Sequence, residues 1–321
     1  VVGTRAFFSN MATGEVTVID ISANLKARPA GFGWNKVYKV LAHEKMEVLK
    51  TLKIAKPSRI RPYDDNHLAL VSDKSVLLFN LQDYSTKPLI TGLTNPRGLA
   101  IDAAKNVYVG EMKPVHQVKV FNSSSKLVRT FGKLGPHKIG AFDNDNLESP
   151  AGVEVDAKGN VWVCELNHEL KRTSVWDKNG KCINQVLGPT LYGGGGDIDP
   201  QNGNRFFYKG KEFLRDPKTK KIKLVKLIWR GDNDEYDRFF KKAGHNFGGA
   251  SPAYPFYNGG KLFFTSWQGW AAGANTTLWL YDDDRVRPVA AIGSLPPWIR
   301  KKFGIGKDDP RICAWTDAND D

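Results

Sequence analysis

Short stretches that alternate between apolar and polar residues run through most of this chain. Residues 15–20 read EVTVID, with an apolar side chain at every second position from Val16. This is the pattern of a strand with one buried face. Gly, Asn, Asp and Pro separate one such stretch from the next. The pattern therefore predicts an all-β chain of many short strands joined by tight turns.

Two stretches of the chain repeat each other. Residues 95–122 read NPRGLAIDAAKNVYVGEMKPVHQVKVFN and residues 149–177 read SPAGVEVDAKGNVWVCELNHELKRTSVWD. At an offset of 54 residues, the coinciding residues include Pro96 with Pro150, Gly98 with Gly152, Asp102 with Asp156, Asn106 with Asn160, Val109 with Val163, and Glu111 with Glu165. Self-similarity at a fixed spacing is typical of a repeat protein in which each repeat is one supersecondary unit.

Weaker copies of the same four-strand pattern fill most of the remaining sequence. The predicted units are 1–56 together with the C-terminal tail, 57–91, 95–132, 149–188, 192–230 and 247–293. Four-stranded units of this length predict a single β-propeller domain over residues 1–321. We expect six blades, closed by pairing of the N- and C-terminal segments. Seven blades are the alternative, because the first 56 residues hold more strand pattern than one blade needs.

The segments between and after the clear repeats carry their own expectations. Residues 133–148 are rich in Gly, Asn and Asp and are expected to form an exposed loop. Residues 294–321 lack clean alternation, and we expect a loop with one strand around residues 311–315.

Composition limits the function classes. The hydrophobic share of 41% is enough for a sizeable core, and no run of about 18 apolar residues predicts a membrane-spanning helix. The formal net charge of +13 favours an anionic partner, namely nucleic acid, an acidic glycan or an acidic protein, if the charge is concentrated on one face. The one dense basic run, residues 218–226, alternates with apolar residues. We favour the explanation that it is an outer edge strand, whose lysines prevent edge-to-edge pairing.

The cysteine content does not suggest a disulfide scaffold. Of three cysteines, Cys164 and Cys182 fall in the second and fourth strands of one predicted blade. Strands two places apart are separated by about twice the ~4.8 Å strand spacing. A disulfide requires Cα atoms within about 7 Å, so no disulfide is predicted.

The repeats resemble a known family. Pro-x-Gly-apolar-x-apolar-Asp, a short turn, and Asn-Val-[Tyr/Trp]-Val followed by an acidic residue are similar to the NHL repeat, specifically over residues 95–188. Asn167-His168 with Leu170 resembles the triplet that names the family, and residues 172–176 stand where the family has an Arg-x-x-Val-Phe strand. The other clear copy departs from it with Val115-His116-Gln117. The resemblance implies a six-bladed propeller. Most such propellers are binding platforms, and a minority are hydrolases or lyases that use a metal or a histidine on the top face.

The ends of the second strands are the best place to look for a site, because function concentrates on loops held by a rigid scaffold. In a propeller these ends meet at one rim of the channel, which is predicted to collect Asn10, Asp73, Glu111, Glu165, Lys209 and Trp267. His116 and His168 follow in the adjacent loops. Such a rim could bind a divalent cation or a cationic group. The alternative, which we favour, is that the repeated acids accept backbone N–H groups.

The C-terminal tail holds a partial cation-binding pattern. Asp317, Asn319 and Asp321 have the spacing of the first three ligands of a calcium loop. The sequence ends before the glycine and the final acid of that motif. Calcium or another divalent metal at this tail and a simple acidic tail are both retained as hypotheses.

The leading functional hypothesis is a non-catalytic binding or assembly module. The chain contains no Gly-x-Ser-x-Gly, Walker or His-Glu-x-x-His motif. We expect it to work with a protein partner or with other domains of a larger secreted or periplasmic protein. One alternative is a propeller hydrolase or lyase with His116 or His168 as its base. A second is a platform that binds nucleic acid or acidic glycan.

Overall fold

A computed structural model describes residues 1–22, 47–166, 170–188, 195–230, 251–266, 276–294, 297–306 and 312–316. These residues form 25 β-strands and one short α-helix. The prediction of an all-β fold is confirmed. The strands form six antiparallel sheets, each of three to five strands. Short up-and-down sheets of this kind are consistent with a β-propeller.

The chain divides into two compact units. The first comprises Val1–Pro136, Asp145–Leu166 and Arg172–Val186. The second comprises His137–Asn144, Asn167–Lys171 and Leu187–Asp321. Each unit is described separately.

Four sheets belong wholly or mainly to the first unit. Sheet 1 contains β1 (Arg5–Asn10), β2 (Glu15–Asp20) and β3 (Glu47–Lys53). Sheet 2 contains β4 (Pro57–Asp64), β5 (His67–Ser72), β6 (Ser75–Asn80) and β7 (Thr86–Ile90). Sheet 3 contains β8 (Pro96–Ile101), β9 (Val107–Glu111), β10 (Gln117–Phe121) and β11 (Leu127–Phe131). After β12, which belongs to the second unit, sheet 4 contains β13 (Pro150–Val155), β14 (Val161–Glu165), β15 (Lys171–Trp176) and β16 (Cys182–Gly188).

The sheets of the first unit pack through their apolar faces. β4, β8 and β13, the first strands of sheets 2 to 4, lie next to one another in that order. Alternate residues of β9, such as Val109, are fully buried against residues of sheet 2 such as Val71. The period-two pattern of the sequence is therefore the pattern of the core.

Close approach between sheets 3 and 4 requires glycine at two paired positions. Gly98 and Gly110 lie opposite each other in β8 and β9. A Cβ atom on Gly98 would come within 2.6 Å of Val153 Cγ2, and one on Gly110 within 2.1 Å of the Pro150 carbonyl oxygen. These glycines thus let the backbone of sheet 3 approach β13 without a side chain between them.

Two sheets form the second unit. Sheet 5 contains β17 (Gly196–Asp199), β18 (Asn202–Tyr208), β19 (Lys211–Arg215) and β20 (Ile222–Leu227), and the two-residue β12 (Gly140–Ala141) lies beside β20. Sheet 6 contains β21 (Pro252–Asn258), β22 (Lys261–Ser266), β23 (Thr276–Asp282), β24 (Arg285–Ser294) and β25 (Ile312–Thr316). A core of large aromatic side chains lies between them, including Phe207, Phe264 and Trp279.

The C-terminal strand corrects one expectation. The tail was expected to pair with the N-terminal segment and close the propeller. Instead β25 pairs with the outer edge of β24, from Ala290 opposite Thr316 to Ser294 opposite Ile312. β24 is ten residues long, so its second half offers an edge long enough for this extra strand.

Two further segments differ from the sequence-based expectation. The tail contains helix α1 (Pro297–Phe303), which starts at a proline and ends with three basic residues, both favourable at those ends. Residues 133–148 are not simply an exposed loop. In the second unit, His137 is buried and its ring stacks on Phe142 at 4.9 Å, while β12 joins sheet 5. In the first unit, Leu147 is fully buried in the core.

Sheet 1 corresponds to the second, third and fourth strands of the other sheets. In the third strands of sheets 2 to 5, the last residue or the one after it is an Asx side chain that accepts the backbone N–H two residues further on: Asn80, Asn122, Asp177 and Asp216. Asp20, at the end of β2, accepts the N–H of Ser22 in the same way. β3 is exposed along almost its whole length, like the outer strands β7 and β11. In the part of the chain that the structure describes, sheet 1 therefore has no first strand.

Two smaller expectations can be compared with the structure. Cys164 and Cys182 lie on the second and fourth strands of sheet 4, and both are free thiols, in agreement with the sequence. Among the described residues, no helix is long and apolar enough to cross a membrane.

Replacing Gly110 tests the close approach of sheets 3 and 4. The Cβ atom of Gly110→Ala would overlap backbone, which cannot move without shifting β13. We expect a loss of unfolding free energy of about 3 kcal/mol, at the upper end for overpacking, measured by urea denaturation. Gly203→Ala is the control, because no heavy atom lies within 4 Å of its added Cβ. Equal urea midpoints for the two variants would contradict the close approach.

Candidate functional site

The repeated acids occupy one equivalent position in the sheets. In sheets 2, 3 and 4, the proline that starts the first strand lies opposite the last residue of the second strand: Pro57 opposite Ser72, Pro96 opposite Glu111, and Pro150 opposite Glu165. The register therefore makes Ser72 the counterpart of the two glutamates. Asp73, predicted for this position, is the next residue along the chain.

Glu111 holds the segment that enters its own sheet. Its side chain is fully buried, and Oε1 accepts the backbone N–H groups of Thr94 at 2.5 Å and Asn95 at 3.3 Å. Its Oε2 is paired with the Lys119 ammonium group from β10. Both oxygens of this carboxylate therefore have partners inside sheet 3 and the loop that leads into it.

Glu165 likewise holds the segment that enters sheet 4, and its cationic partner is Arg172 instead of a lysine. Its Oε2 accepts the N–H of Glu148 at 3.0 Å, and its Oε1 lies 2.9 Å from Nη1 of Arg172. Both side chains of this ion pair are fully buried. Arg172 also donates to the carbonyl oxygen of Asn146 at 2.8 Å and to the side-chain oxygen of Gln185 at 2.8 Å. The pair thus links β14, β15 and β16 to the segment before β13.

His116 completes the hold on that segment. It is buried, adopts the left-handed backbone conformation with φ of 58°, and its Nδ1 accepts the N–H of Ser149 at 3.0 Å. A backbone N–H can only donate, so Nδ1 must carry its lone pair. In the preceding sheet, Glu111 accepts both equivalent N–H groups. Before β13, Glu165 accepts the N–H of Glu148 and His116 accepts the N–H of Ser149.

Ser72 contacts the equivalent loop before β4, but as a hydrogen-bond donor. Its hydroxyl donates to the carbonyl oxygen of Ala55 at 2.7 Å, two residues before Pro57. Thr94 and Glu148 stand at the same distance before Pro96 and Pro150. A polar side chain at this position therefore fixes the entering loop in three successive sheets.

The other predicted rim residues that the structure describes are the last residue of β1, Asn10, and two turn residues, Asp73 and Lys209. Asn10 accepts the N–H groups of Ala12 and Thr13. Asp73 is exposed, has φ of 45°, and pairs with Lys56 at 2.9 Å. The ion pair is the first cause of a pKa of Asp73 below its usual value. Lys209 is buried in the β18–β19 turn, where its N–H donates to the carbonyl oxygen of Gly195.

Several predicted site residues lie outside the described part of the chain: Trp267, His168, Asp317, Asn319 and Asp321. The proposed calcium tail is thus untested by the structure. Within the described residues, no group of three or more His, Cys, Asp or Glu side chains is placed to hold a metal ion.

The repeated Asp and Asn of the first hairpin form a turn lock. Asp156 accepts the N–H of Lys158, the N–H and side-chain amide of Asn160, and the indole N–H of Trp162. These donors, Asn160 first, lower the pKa of Asp156 to about 2. Asp102 makes the same contacts to Asn106 and also accepts from the Tyr108 hydroxyl. Burial and then the Asp102 charge raise the pKa of Tyr108 to about 12.

Two structural features were missed by reasoning from the sequence. Arg172 appears in the NHL-like pattern, but its partners Glu165, Asn146 and Gln185 depend on three-dimensional contacts. A cleft of about 570 Å³ in the second unit is lined by residues from four strands of sheet 6 and by Arg205 of sheet 5. No short motif marks it, because its residues are spread over 83 positions from 205 to 287.

Comparison with known proteins gives limited information. No family model matches the sequence. Over 80 residues, which is 25% of this chain, it is 30% identical to the protein Brain tumor of Drosophila melanogaster. The match covers 6% of that protein's length.

Solved structures resemble the chain only distantly. Hydrazine synthase of Kuenenia stuttgartiensis is 14% identical, with 87% of this chain and 74% of that chain covered and a TM-score of 0.42. A protein from Lactobacillus plantarum is 12% identical, with coverages of 70% and 67% and a TM-score of 0.39. A functionally unknown protein from Desulfotomaculum acetoxidans is 8% identical, with coverages of 90% and 80% and a TM-score of 0.37. No functional statement about this chain follows from them.

The buried Glu165–Arg172 pair can be tested by removing one charge. Glu165→Gln leaves the Arg172 charge buried without its carboxylate, and we expect a loss of about 3–5 kcal/mol of unfolding free energy. Adding Arg172→Met should recover part of this loss. Glu15→Gln, which breaks the exposed Glu15–Lys53 pair, should leave the urea midpoint unchanged. If Glu165→Gln behaves like Glu15→Gln, the pair does not hold sheet 4 together.

The turn lock predicts a pH dependence. The pKa of Asp156 is lowered, so its contribution to stability is present above the ordinary value of 3.8 and is lost as the pH falls towards about 2. A carboxyl ¹³C titration should place its midpoint near 2, and Asn160→Ala should move the midpoint up towards 3.8. Trp162→Phe should move it less, since Asn160 is the larger cause. An unshifted midpoint in Asn160→Ala would exclude the lock.

Proposed function

We propose that this chain is a non-catalytic β-propeller module that binds a partner protein or assembles with other domains of a larger protein. The observation that carries the proposal is that the repeated polar residues form hydrogen bonds to the backbone of the sheets. Glu111, Glu165 and His116 are buried and accept backbone N–H groups. A general base needs a free lone pair within reach of a substrate proton, and Nδ1 of His116 already has a donor.

The NHL-like pattern of residues 95–188 supports the same proposal. Propellers of that type are mostly binding platforms, and the pattern here comes from the residues that build the sheets. We also propose, from the sequence alone, that the assembly is secreted or periplasmic, which localisation in the source cell would test.

The second unit offers a surface for such a partner, formed by residues 214–223 at the β19–β20 turn and named here the basic hairpin. It carries five cations, Arg215, Lys218, Lys220, Lys221 and Lys223, against one carboxylate, Asp216. The four lysines are exposed. β12 lies beside Lys226 and Leu227 at the far end of β20. Among the described residues, the edge of β20 next to the hairpin is not covered by another strand.

The exposed apolar residues of the basic hairpin favour an acidic protein surface as the partner. Ile222 and Leu214 are 60% and 40% exposed among the lysines. A protein segment can pair carboxylates with the lysines and apolar side chains with Ile222. A nucleic-acid backbone offers only the charge. Binding of nucleic acid or acidic glycan is the second candidate, favoured by the charge of the hairpin alone.

Charge removal at matched sites tests the proposal. One variant replaces Lys218, Lys220, Lys221 and Lys223 by Gln, and the control replaces Lys50, Lys87, Lys126 and Lys178, which are exposed elsewhere. Both lower the formal net charge from +13 to +9, since four charges are removed. We expect the hairpin variant to bind a peptide of alternating Glu and Leu about tenfold more weakly, or by about 1.4 kcal/mol. The control should change by less than about threefold, in line with weakly contributing surface charges.

Each other outcome has a definite meaning. Equal losses in the two variants would show general charge attraction and overturn the hairpin as a surface. Tighter binding of a single-stranded RNA or of heparin, with a steep salt dependence, would replace the acidic protein by a polyanion. If the hairpin variant aggregates but still binds the peptide, the lysines do not bind the partner. Their role is then to prevent edge-to-edge pairing of β20.

The catalytic alternative is tested separately. The chain should show no turnover of ester, lactone or phosphate monoester substrates, with or without added zinc, manganese or calcium, above that of the His116→Gln variant. Turnover that disappears in a folded His116→Gln variant would overturn the non-catalytic proposal.

A further inference from the structure

The cleft of the second unit lies between sheets 5 and 6. Its volume is about 570 Å³, and its lining includes Arg205, Tyr257, Lys261, Leu262, Tyr281 and Arg287. It is built from side chains of regular strands, which hold their positions more firmly than loop residues do. None of the predicted rim residues lines the cleft, and the proposed binding module does not use it.

Arg205 is fixed on three sides. Its Nε lies 2.8 Å from the buried carboxylate of Asp199. The guanidinium carbon lies 5.0 Å from the ring centroid of Phe207 and 5.7 Å from that of Tyr281. These contacts leave the Nη1–Nη2 edge, for which the described residues provide no partner. An arginine that is packed against two aromatic rings and paired with a carboxylate presents two parallel N–H donors with little further loss of rotamer freedom.

The charges at the cleft favour an anion. Three lining residues are cationic, Arg205, Lys261 and Arg287, and one is a carboxylate, Asp282. Behind the lining, the carboxylates of Asp199 and Glu212 lie 2.8 Å and 3.9 Å from Nε of Arg205 and offset part of its charge, so the charge in excess is that of Lys261. The Lys261 side chain is exposed and has no partner among the described residues. Arg287 is itself paired with a carboxylate, its Nε lying 3.8 Å from Asp282.

The two tyrosines bring no negative charge. The Tyr281 hydroxyl donates to Glu212 at 2.7 Å, and burial together with this carboxylate raises the pKa of Tyr281 to about 12. Burial, and then the Asp199 charge, also raise the pKa of Tyr257. Both remain neutral near pH 7. Their rings, with Leu262 and Leu280, supply an apolar wall.

The geometry points to a binding site for a small organic oxyanion, a carboxylate or a phosphate ester with a short apolar or aromatic body. Two of its oxygens would accept from the Nη1–Nη2 edge of Arg205 in the bidentate manner typical of guanidinium groups. Lys261 supplies the second positive charge. The apolar body of the ligand packs on the tyrosine rings and on Leu262.

Calorimetric titration of the full chain with four probes tests this site. The probes are phenyl phosphate, benzoate, inorganic phosphate and, as the neutral isostere, benzyl alcohol. We expect at least one aromatic anion to bind with Kd below about 1 mM, and benzyl alcohol not to bind. Whichever of phenyl phosphate and benzoate binds more tightly identifies the class of oxyanion.

Three variants locate the binding. Arg205→Lys keeps the charge but loses the paired donors, and should weaken binding at least about tenfold. Lys261→Gln should weaken it about threefold to tenfold by removing one nearby charge. Lys218→Gln, which removes the same charge from the basic hairpin, should leave Kd unchanged within about twofold. Circular dichroism shows whether Arg205→Lys folds. If it does not, the site is tested by comparing the Kd of Lys261→Gln with that of Lys218→Gln.

Two results would overturn the site. One is the absence of binding by both aromatic anions up to 10 mM, about −2.7 kcal/mol. The other is an equal loss in Lys261→Gln and Lys218→Gln, because the anion would then follow the net charge of +13. Neither result bears on the acidic-peptide experiment, so the two proposals fail independently.

Discussion

The sheets of the first unit depend on side chains that satisfy the backbone where each first strand begins. The loop before such a strand presents N–H groups that have no β-strand partner, and the side chains that accept them are buried. Leaving a buried polar group unpaired costs about 1–3 kcal/mol. Glu111 supplies the acceptor before β8, and Glu165 and His116 share this role before β13. Lys119 and Arg172 then neutralise the buried carboxylates. Packing of one sheet on the next rests on this arrangement, because the prolines and glycines beside these loops make the closest contacts between sheets.

This requirement explains why acidic residues recur in the sequence in a pattern that resembles a functional rim. A carboxylate repeated at one register position, with a histidine nearby, has the composition of a metal or catalytic site. The structure assigns the two described glutamates and His116 to backbone hydrogen bonds. Ser72 shows that the position needs a polar side chain rather than an acid, since its hydroxyl ties the carbonyl of Ala55 in the equivalent loop. Where the side chain can be neutral, a catalytic explanation of the charge loses its main support.

Local chemistry could be predicted from the sequence, and long-range pairing could not. The Asp102–Asn106 and Asp156–Asn160 turns, the alternating strands and the free cysteines follow from residues close in the chain, so pattern was sufficient. Whether Ser72 or Asp73 occupies the position of the two glutamates depends on the pairing register of β4 and β5, which the local sequence does not fix. The pairing of β25 with β24 joins segments that both carry strand patterns, and nothing local selects one edge over another. The partners of Arg172 and the lining of the cleft are brought together only by packing.

The site proposed in the second unit lies where the turn contacts of sheet 5 differ from those of sheet 4. Asp199 ends a first strand and accepts the N–H of Gln201, as Asp156 accepts that of Lys158. In sheet 4 the side-chain amide of Asn160 donates to Asp156 and completes the turn lock. In sheet 5 the partner is Arg205, and a guanidinium has more donors than one carboxylate can satisfy. Arg205 and Lys261 both line the cleft between sheets 5 and 6. A substitution that preserves the turn can therefore leave a fixed, partly unsatisfied cation at the surface, and this is the physical basis for expecting an oxyanion there rather than at the rim.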